Sequence, residues 1–216
     1  MVVKEQGLRE RKKAETRDRI IRAAIELFGR HGFHDVTVAE IAEVAEVSKM
    51  TVFNYFGSKE GIITSVADRR GDIVTEVIAS RPAGTTPVEA FKQYYLESVE
   101  HHDPYMGFTD SEASRIMQRL IHDTPDLADA FHRALQHVWH RVALELEAEG
   151  YAPLDAHLVS LQLMAVKQVL TATNRERYVE GFDVAERRRL AKHDADHAFG
   201  LLQNGWGDIM ARPAGN

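Results

Sequence analysis

The densest run of side chains able to do chemistry lies between Ser48 and Glu60, SKMTVFNYFGSKE. A cation at Lys49, a thioether at Met50, a hydroxyl at Thr51 and an amide at Asn54 fall on one short segment threaded with large apolar residues. Wound as a helix, the segment puts Val52 and Phe56 on one face at i, i+4 spacing, ready to pack on neighbouring helices. Lys49, Met50, Thr51 and Asn54 project elsewhere, close to the helix start. Such groups read base edges in a major groove. Lys49 suits guanine O6/N7, Asn54 suits adenine or a phosphate, and Met50 or the Thr51 methyl suits the methyl of thymine. Thr37, Ser48 and Lys59 stand at or beside helix starts, where unpaired amides and the helix dipole favour phosphate. A capped surface helix with a solvated polar face would carry each of these signals singly; their joint spacing is harder to obtain that way.

A second concentration is histidine, with nine of 11 beyond residue 100. His193 and His197 are at i, i+4 on a helix face, an acceptable half-site for zinc or nickel. His137 and His140 are at i, i+3, and His101-His102-Asp103 ends a helix. Exposed or interfacial histidines are the ordinary reading of this pattern, and no metal or cofactor is expected. No HExxH, nucleophile elbow or phosphate-binding loop occurs, so no catalytic residues are assigned and an enzyme is not expected.

The elements that must position these groups read as helix nearly throughout. Ile20, Ala23, Ala24, Leu27 and Phe28 form an apolar stripe on a first helix from about Arg11 to Arg30, closed by His31-Gly32. Thr37 and Glu40 form a capping box opening a second helix whose buried face is Val38, Ile41, Ala42 and Ala45. Ser48 caps a third, and the pair, joined by about four residues, is a helix-turn-helix pattern. Small Ala42 and Ala45 allow the two to approach closely. A fourth helix spans about Ser58 to Ala79. After the loop at Ser80–Thr85, Thr86-Pro87-Val88-Glu89 opens a helix to about His102. Further helices are expected at about 105–122, from Thr124-Pro125 to Glu149-Gly150, from Leu154 to Tyr178 and from Asp183 to Met210. The expected fold is all-α with about nine helices: an N-terminal three-helix DNA-binding domain over residues 1–60 and a C-terminal helical domain over 61–216.

Bulk composition sets the outer limits. The 216 residues are 44% hydrophobic and 28% charged, ordinary for a globular chain. The absence of cysteine excludes disulfides and thiolate metal sites and fits a reducing cytoplasm. The opening residues MVVKEQGLRERKK hold no apolar run, so no secretory signal is expected, and no stretch reaches the length of a membrane span. The net charge of −6 is unevenly spread. Residues 1–60 carry 11 basic and 10 acidic side chains, against 16 and 23 beyond them. Arg9, Arg11, Lys12, Lys13, Arg17, Arg19 and Arg22 therefore give a positive front end that can approach a polyanion while the remainder is repelled.

The run from Arg17 to Gly61, RDRIIRAAIELFGRHGFHDVTVAEIAEVAEVSKMTVFNYFGSKEG, resembles the DNA-binding domain of TetR-family transcriptional regulators. The matching features are Ala23, Ala24, Leu27 and Phe28, then Gly32-Phe33, Thr37-Val38 with Ile41-Ala42, Val47-Ser48, and the end from Val52 to Glu60. The resemblance implies a homodimer that places two recognition helices in successive major grooves of a pseudo-palindromic operator in double-stranded DNA. It also implies repression that ends when a small-molecule effector binds the C-terminal domain. By position it puts Thr37, Ser48, Lys49, Met50, Thr51, Phe53, Asn54 and Lys59 at the DNA. Where many members have Tyr-Tyr-His this chain has Phe53-Asn54-Tyr55. Phe53 lacks a phosphate-bonding hydroxyl, so Asn54 or Tyr55 is expected to supply that bond. The last two helices resemble the family's dimerising pair, with Leu158, Leu161, Met164 and Ala165 on one and Ala195, Ala198, Leu202, Trp206 and Ile209 on the other. An effector pocket between the central helices has as candidates Tyr94, Tyr95, Tyr105, Met106, Phe108, Met117, Phe131, Trp139 and Met164, suited to a small, largely apolar molecule with a polar handle. The expected location is the cytoplasm, with no membrane association.

Overall fold

The structure, a computed structural model, describes residues 2–108 and 111–205, the side chains of residues 2–8 and Glu10 excepted. Among the described residues it contains nine α-helices and no strand: α1 (Val2–His31), α2 (Val38–Val44), α3 (Lys49–Phe56), α4 (Lys59–Ala79), α5 (Pro87–Glu100), α6 (Glu112–Asp123), α7 (Pro125–Ala148), α8 (Pro153–Val179) and α9 (Val184–Asn204). The chain divides into two compact units. One comprises Met1–Arg70 and Ser111–Leu135, the other Gly71–Asp110 and Gln136–Asn216.

In the first unit, Ile20, Ala23, Ala24 and Phe28 of α1 are buried in one cluster with Ile41, Ala42, Ala45, Val52, Ile62 and Ile63. Burying this apolar face is what stabilises the two short helices, α2 of seven residues and α3 of eight, which would be marginal alone. The helix α1 begins well before Arg11. Its first turns are rich in Lys, Glu, Gln, Leu and Arg, strong helix formers with no proline, while residues 11–15 are all exposed. The composition of these turns favours the longer helix. It stops where Gly32 adopts φ +85° and donates to the Phe28 carbonyl at 2.9 Å.

The caps stand as the sequence reads them. The Thr37 amide donates to Glu40 Oε2 at 2.7 Å, and the Glu40 amide donates to Thr37 Oγ1 at 3.3 Å. The Thr37 amide and hydroxyl both donate to the Glu40 carboxylate and favour its ionised form, which holds the Glu40 pKa below its ordinary value. Ser48 accepts from the Thr51 amide at 3.0 Å, opening α3.

The second unit centres on an aromatic core. The Phe91 ring meets Trp139 edge-on at 5.5 Å and Phe199 at 6.0 Å, all three buried together with Tyr95, Met106 and Phe108. Thr86 and Glu89 form the expected capping box on α5, with Pro87 at its first position. The continuous helix expected at about 105–122 is replaced by a short 3-10 turn, Pro104–Met106, and by α6, which starts only at Glu112 behind a Ser111 cap. Gly107 makes the break possible. It adopts φ +92°, and a Cβ there would stand 2.5 Å from the Thr171 carbonyl oxygen of α8. The close approach lets Asn174, on the same face of α8, donate through Nδ2 to the Met106 carbonyl at 2.8 Å and to the Tyr95 hydroxyl at 2.9 Å. Burial pushes the Tyr95 phenol upward, so it stays protonated.

Because Asn174 satisfies two buried acceptors at once, its removal leaves both desolvated without a partner. Asn174→Ala is expected to lower the unfolding free energy by about 2 kcal/mol, read from urea denaturation followed by tryptophan fluorescence. An unchanged midpoint would count against this bond as a determinant of the second unit.

Candidate nucleic-acid interface

Helix α3 is held by Val52, which is buried, and by Phe56 and Tyr55, which pack partly against the same cluster. That anchoring turns Lys49, Met50, Phe53 and Asn54 outward, all four exposed. Thr51 is half-buried, and its hydroxyl lies 2.8 Å from Ser48 Oγ. The α2–α3 turn is tight. Val47 donates to the Ala42 carbonyl at 2.9 Å while Glu46 takes φ +52°, a left-handed conformation uncommon outside glycine.

The junction after α3 is equally constrained. Gly57 closes the helix, Ser58 Oγ accepts from the Gly61 amide at 3.0 Å, and a Cβ at Gly61 would stand 1.9 Å from the Phe56 carbonyl oxygen. No side chain fits there without displacing backbone. Lys59 turns inward from this junction. Its ammonium donates to the carbonyls of Phe33 at 2.6 Å, Val36 at 3.0 Å and His34 at 3.2 Å, and lies 4.6 Å from the centre of the Phe33 ring. One cation thus closes the α1–α2 loop from α4. Arg17 of α1 lies 5.2 Å over the Phe56 ring, and Asp18 of α1 pairs with Arg69 of α4 at 2.8 Å.

Among the residues singled out from sequence, Thr37, Ser48, Lys49, Met50, Thr51, Phe53, Asn54 and Tyr55 share α3 or the start of α2. Thr37 and Ser48 spend their hydroxyls on caps, so any phosphate contact there falls to backbone amides. Lys59 spends its charge on three carbonyls, a role that spacing alone does not reveal.

Of the pocket candidates, Tyr94, Tyr95, Tyr105, Met106, Phe108, Trp139 and Met164 come together in the core of the second unit, Tyr95, Met106, Phe108 and Trp139 fully buried. Met117 and Phe131 lie in the first unit, and the structure does not bring them to the others. What sequence reasoning missed is a polar inward face on α8: Lys167, Thr171 and Asn174 are buried at i, i+4, i+7 spacing. Lys167 Nζ stands 3.5 Å from the centre of the Tyr105 ring, and Arg187 of α9 lies over both Phe108 and Tyr178. The helical period is the signal, but Lys, Thr and Asn at that spacing ordinarily mark an outward face.

Leu158 and Leu161 are exposed and line up with Leu154, Ala165 and Val169 along one side of α8. On α9, Ala198 and Leu202 are half-buried against the core, and Ala195 points inward and is fully buried. Trp206 and Ile209 lie outside the described residues, as does the expected end of the helix at Met210. His193 and His197 are exposed, and His193 Nδ1 faces Asp194 at 3.4 Å. Among the described residues no group of three His, Asp or Glu side chains could hold a metal ion, and no helix is long and apolar enough to cross a membrane.

A capped helix-turn-helix whose second helix is pinned by its inner face and exposes cationic, amide and apolar groups defines a DNA-binding protein of the helix-turn-helix class. Residues 20–66 match the family model described as bacterial regulatory proteins, tetR family. The chain is 31% identical over 175 residues to the HTH-type transcriptional regulator TcmR of Streptomyces glaucescens, spanning 80% of this chain and 77% of that protein. NalD of Pseudomonas aeruginosa, the secondary repressor of the MexAB-OprM multidrug efflux pump, superimposes with a TM-score of 0.54 at 21% identity, over 89% of this chain and 97% of NalD. A TetR-family regulator from Mesorhizobium loti gives 0.52 at 20% identity, over 87% and 96%. The chain belongs to the TetR family of transcriptional regulators and binds DNA.

Lys59→Met removes the ammonium and leaves three carbonyls that it held. The expected loss is about 2 kcal/mol of stability, with faster amide hydrogen exchange across residues 32–37. Protection that matched the wild type would show that the loop holds itself. Gly61→Ala is expected to lower operator affinity although residue 61 lies outside α3, because the α3–α4 junction must shift; a variant binding normally would show that the backbone yields cheaply.

Proposed function

We propose that the protein is a homodimeric, ligand-responsive repressor in the cytoplasm. Residues 1–60 bind a pseudo-palindromic operator, and residues 61–216 bind the partner subunit and a small-molecule effector. The observation that carries the DNA-reading half is the orientation of α3: its inner face is anchored by Val52, and Lys49, Met50, Phe53 and Asn54 are left facing out. The amides at the starts of α2 and α3, and Tyr55 near the end of α3, would meet the flanking phosphates.

Dimerisation is supported by the exposed leucines of α8. Leu154, Leu158, Leu161, Ala165 and Val169 recur at 3–4 spacing on one side of the helix, a stripe that water disfavours and a second copy would cover. Two half-sites require two recognition helices, which a symmetric pair supplies. For repression to be relieved, the effector must bind better to the state whose recognition helices are wrongly spaced for DNA. NalD, a protein of the same fold, is a repressor, which agrees with a negative role here. A second reading, a constitutive DNA-binding regulator, is favoured by the burial of Tyr95, Met106, Phe108 and Trp139 in one hydrophobic cluster. No catalytic, metal or cofactor role is assigned.

Lys49→Ala and Asn54→Ala are expected to weaken operator binding about 10- to 100-fold in gel-shift titrations, the range of one lost base contact, with the dimer unchanged by analytical ultracentrifugation. Leu158→Glu combined with Leu161→Glu is expected to give monomers and abolish cooperative occupation of the two half-sites. Native mass spectrometry of protein purified from its own host separates the two readings of the second unit: a dimer with a few hundred daltons of added mass favours a sensor, and a bare dimer favours constitutive binding.

A further inference from the structure

Among the described side chains of the first unit, the exposed large hydrophobic ones are Val44 on α2 and Met50 and Phe53 on α3. Met50 is 66% and Phe53 40% exposed, at i, i+3 on one side of an eight-residue helix. Lys49 Nζ stands 5.9 Å from the centre of the Phe53 ring, so the cation steadies the ring it flanks. The only cation on α3 and its two exposed apolar side chains therefore form one contiguous surface, with Asn54 at its edge.

An apolar pair is a poor match for most of what a major groove displays, since base edges there are hydrogen-bond donors and acceptors. The exception is the C5-methyl group of thymine. Thr51, whose methyl is the other group of this helix able to meet thymine, is half-buried and has its hydroxyl beside Ser48. We infer that Met50 and Phe53 together read thymine methyl groups, and that each operator half-site carries thymines immediately beside the base pair contacted by Lys49. The inference rests on α3 being the reading helix. It gives Phe53 a role that does not depend on a hydroxyl: the ring is a methyl-binding surface rather than a phosphate anchor.

The test begins with an operator selected from a random duplex library by the full-length protein. Each thymine enriched in the half-site is then replaced by deoxyuridine, which keeps the O4 acceptor and base pairing and removes only the methyl. Wild-type affinity is expected to fall about fourfold at each contacted thymine, the effect of exposing one methyl group. In Met50→Ala and Phe53→Ala, which lie on the surface and leave the core intact, the penalty is expected to shrink toward unity at the thymine that each residue contacts. Selection without thymine enrichment, deoxyuridine substitution without effect, or a penalty that persists in both variants would each overturn the inference. Lys49→Ala tells the two levels apart. If it weakens operator binding while deoxyuridine is neutral, α3 still reads DNA and only the methyl contact fails. If it too is without effect, the assignment of α3 as the reading helix fails with it.

Discussion

The burial of Val52 is the constraint on which the orientation of α3 depends. Helix α3 has eight residues, too few to be stable by hydrogen bonding and propensity alone. Its position must come from tertiary packing, and its buried anchor, Val52, joins the cluster that holds Ile41, Ala42 and Ala45. Those alanines matter by being small: they leave room for the valine, and the valine sets the rotation of α3 about its own axis. A rotation of one residue, about 100°, would exchange the outward set for Thr51 and Tyr55 and bury part of the reading surface. The precision needed at the groove is therefore supplied by a few apolar contacts on the opposite side of the helix.

The surrounding contacts guard that rotation. Gly61 abuts the Phe56 carbonyl, Lys59 ties α4 to the α1–α2 loop, and Arg17 lies over Phe56. Each of them fixes backbone next to α3 without occupying its outward face. This division of labour explains why Lys59, a cation in the middle of a DNA-binding sequence, is directed at protein carbonyls. The Lys59 ammonium is committed to three loop carbonyls in this structure, whereas Lys49, the first residue of α3, stands beside an aromatic ring that it can leave at little cost.

Much of this was legible in the sequence because capping and periodicity are local signals. The Thr37–Glu40 and Thr86–Glu89 boxes, the Ser48 cap, the Asp183 cap and the proline starts at Pro87 and Pro125 all form where residue types place them. The failures have a common origin in long-range contacts. The break at Gly107 depends on Thr171, 64 positions later in the chain, because the loop must press on α8 before a helix becomes impossible there. The inward bond network of Lys59 depends on a loop more than 20 residues earlier. The polar face of α8 was hidden for a different reason: Lys167, Thr171 and Asn174 have the period of a buried stripe, but polar side chains are ordinarily taken to mark the outside. The early start of α1 lies in a stretch of strong helix formers whose sequence carries no hydrophobic period to announce it.

That polar face bears on how the second unit can work. A core made only of Phe91, Trp139, Phe199 and their neighbours would be stable and indifferent to small rearrangements. Polar groups inside it are costly unless paired, and Asn174 binds two acceptors that come from different segments, Tyr95 on α5 and Met106 in the loop that follows. The arrangement is therefore exacting: the loop and α5 must both be in place for Asn174 to be satisfied. A hydrogen-bonding molecule that competed for Asn174 would release the Met106 carbonyl and the tight Gly107 turn together, since both are held by the same face of α8. A purely apolar guest would have no such purchase. In the proposed sensor, Asn174 is the side chain through which a hydrogen-bonding guest would reach both α5 and the loop that follows it.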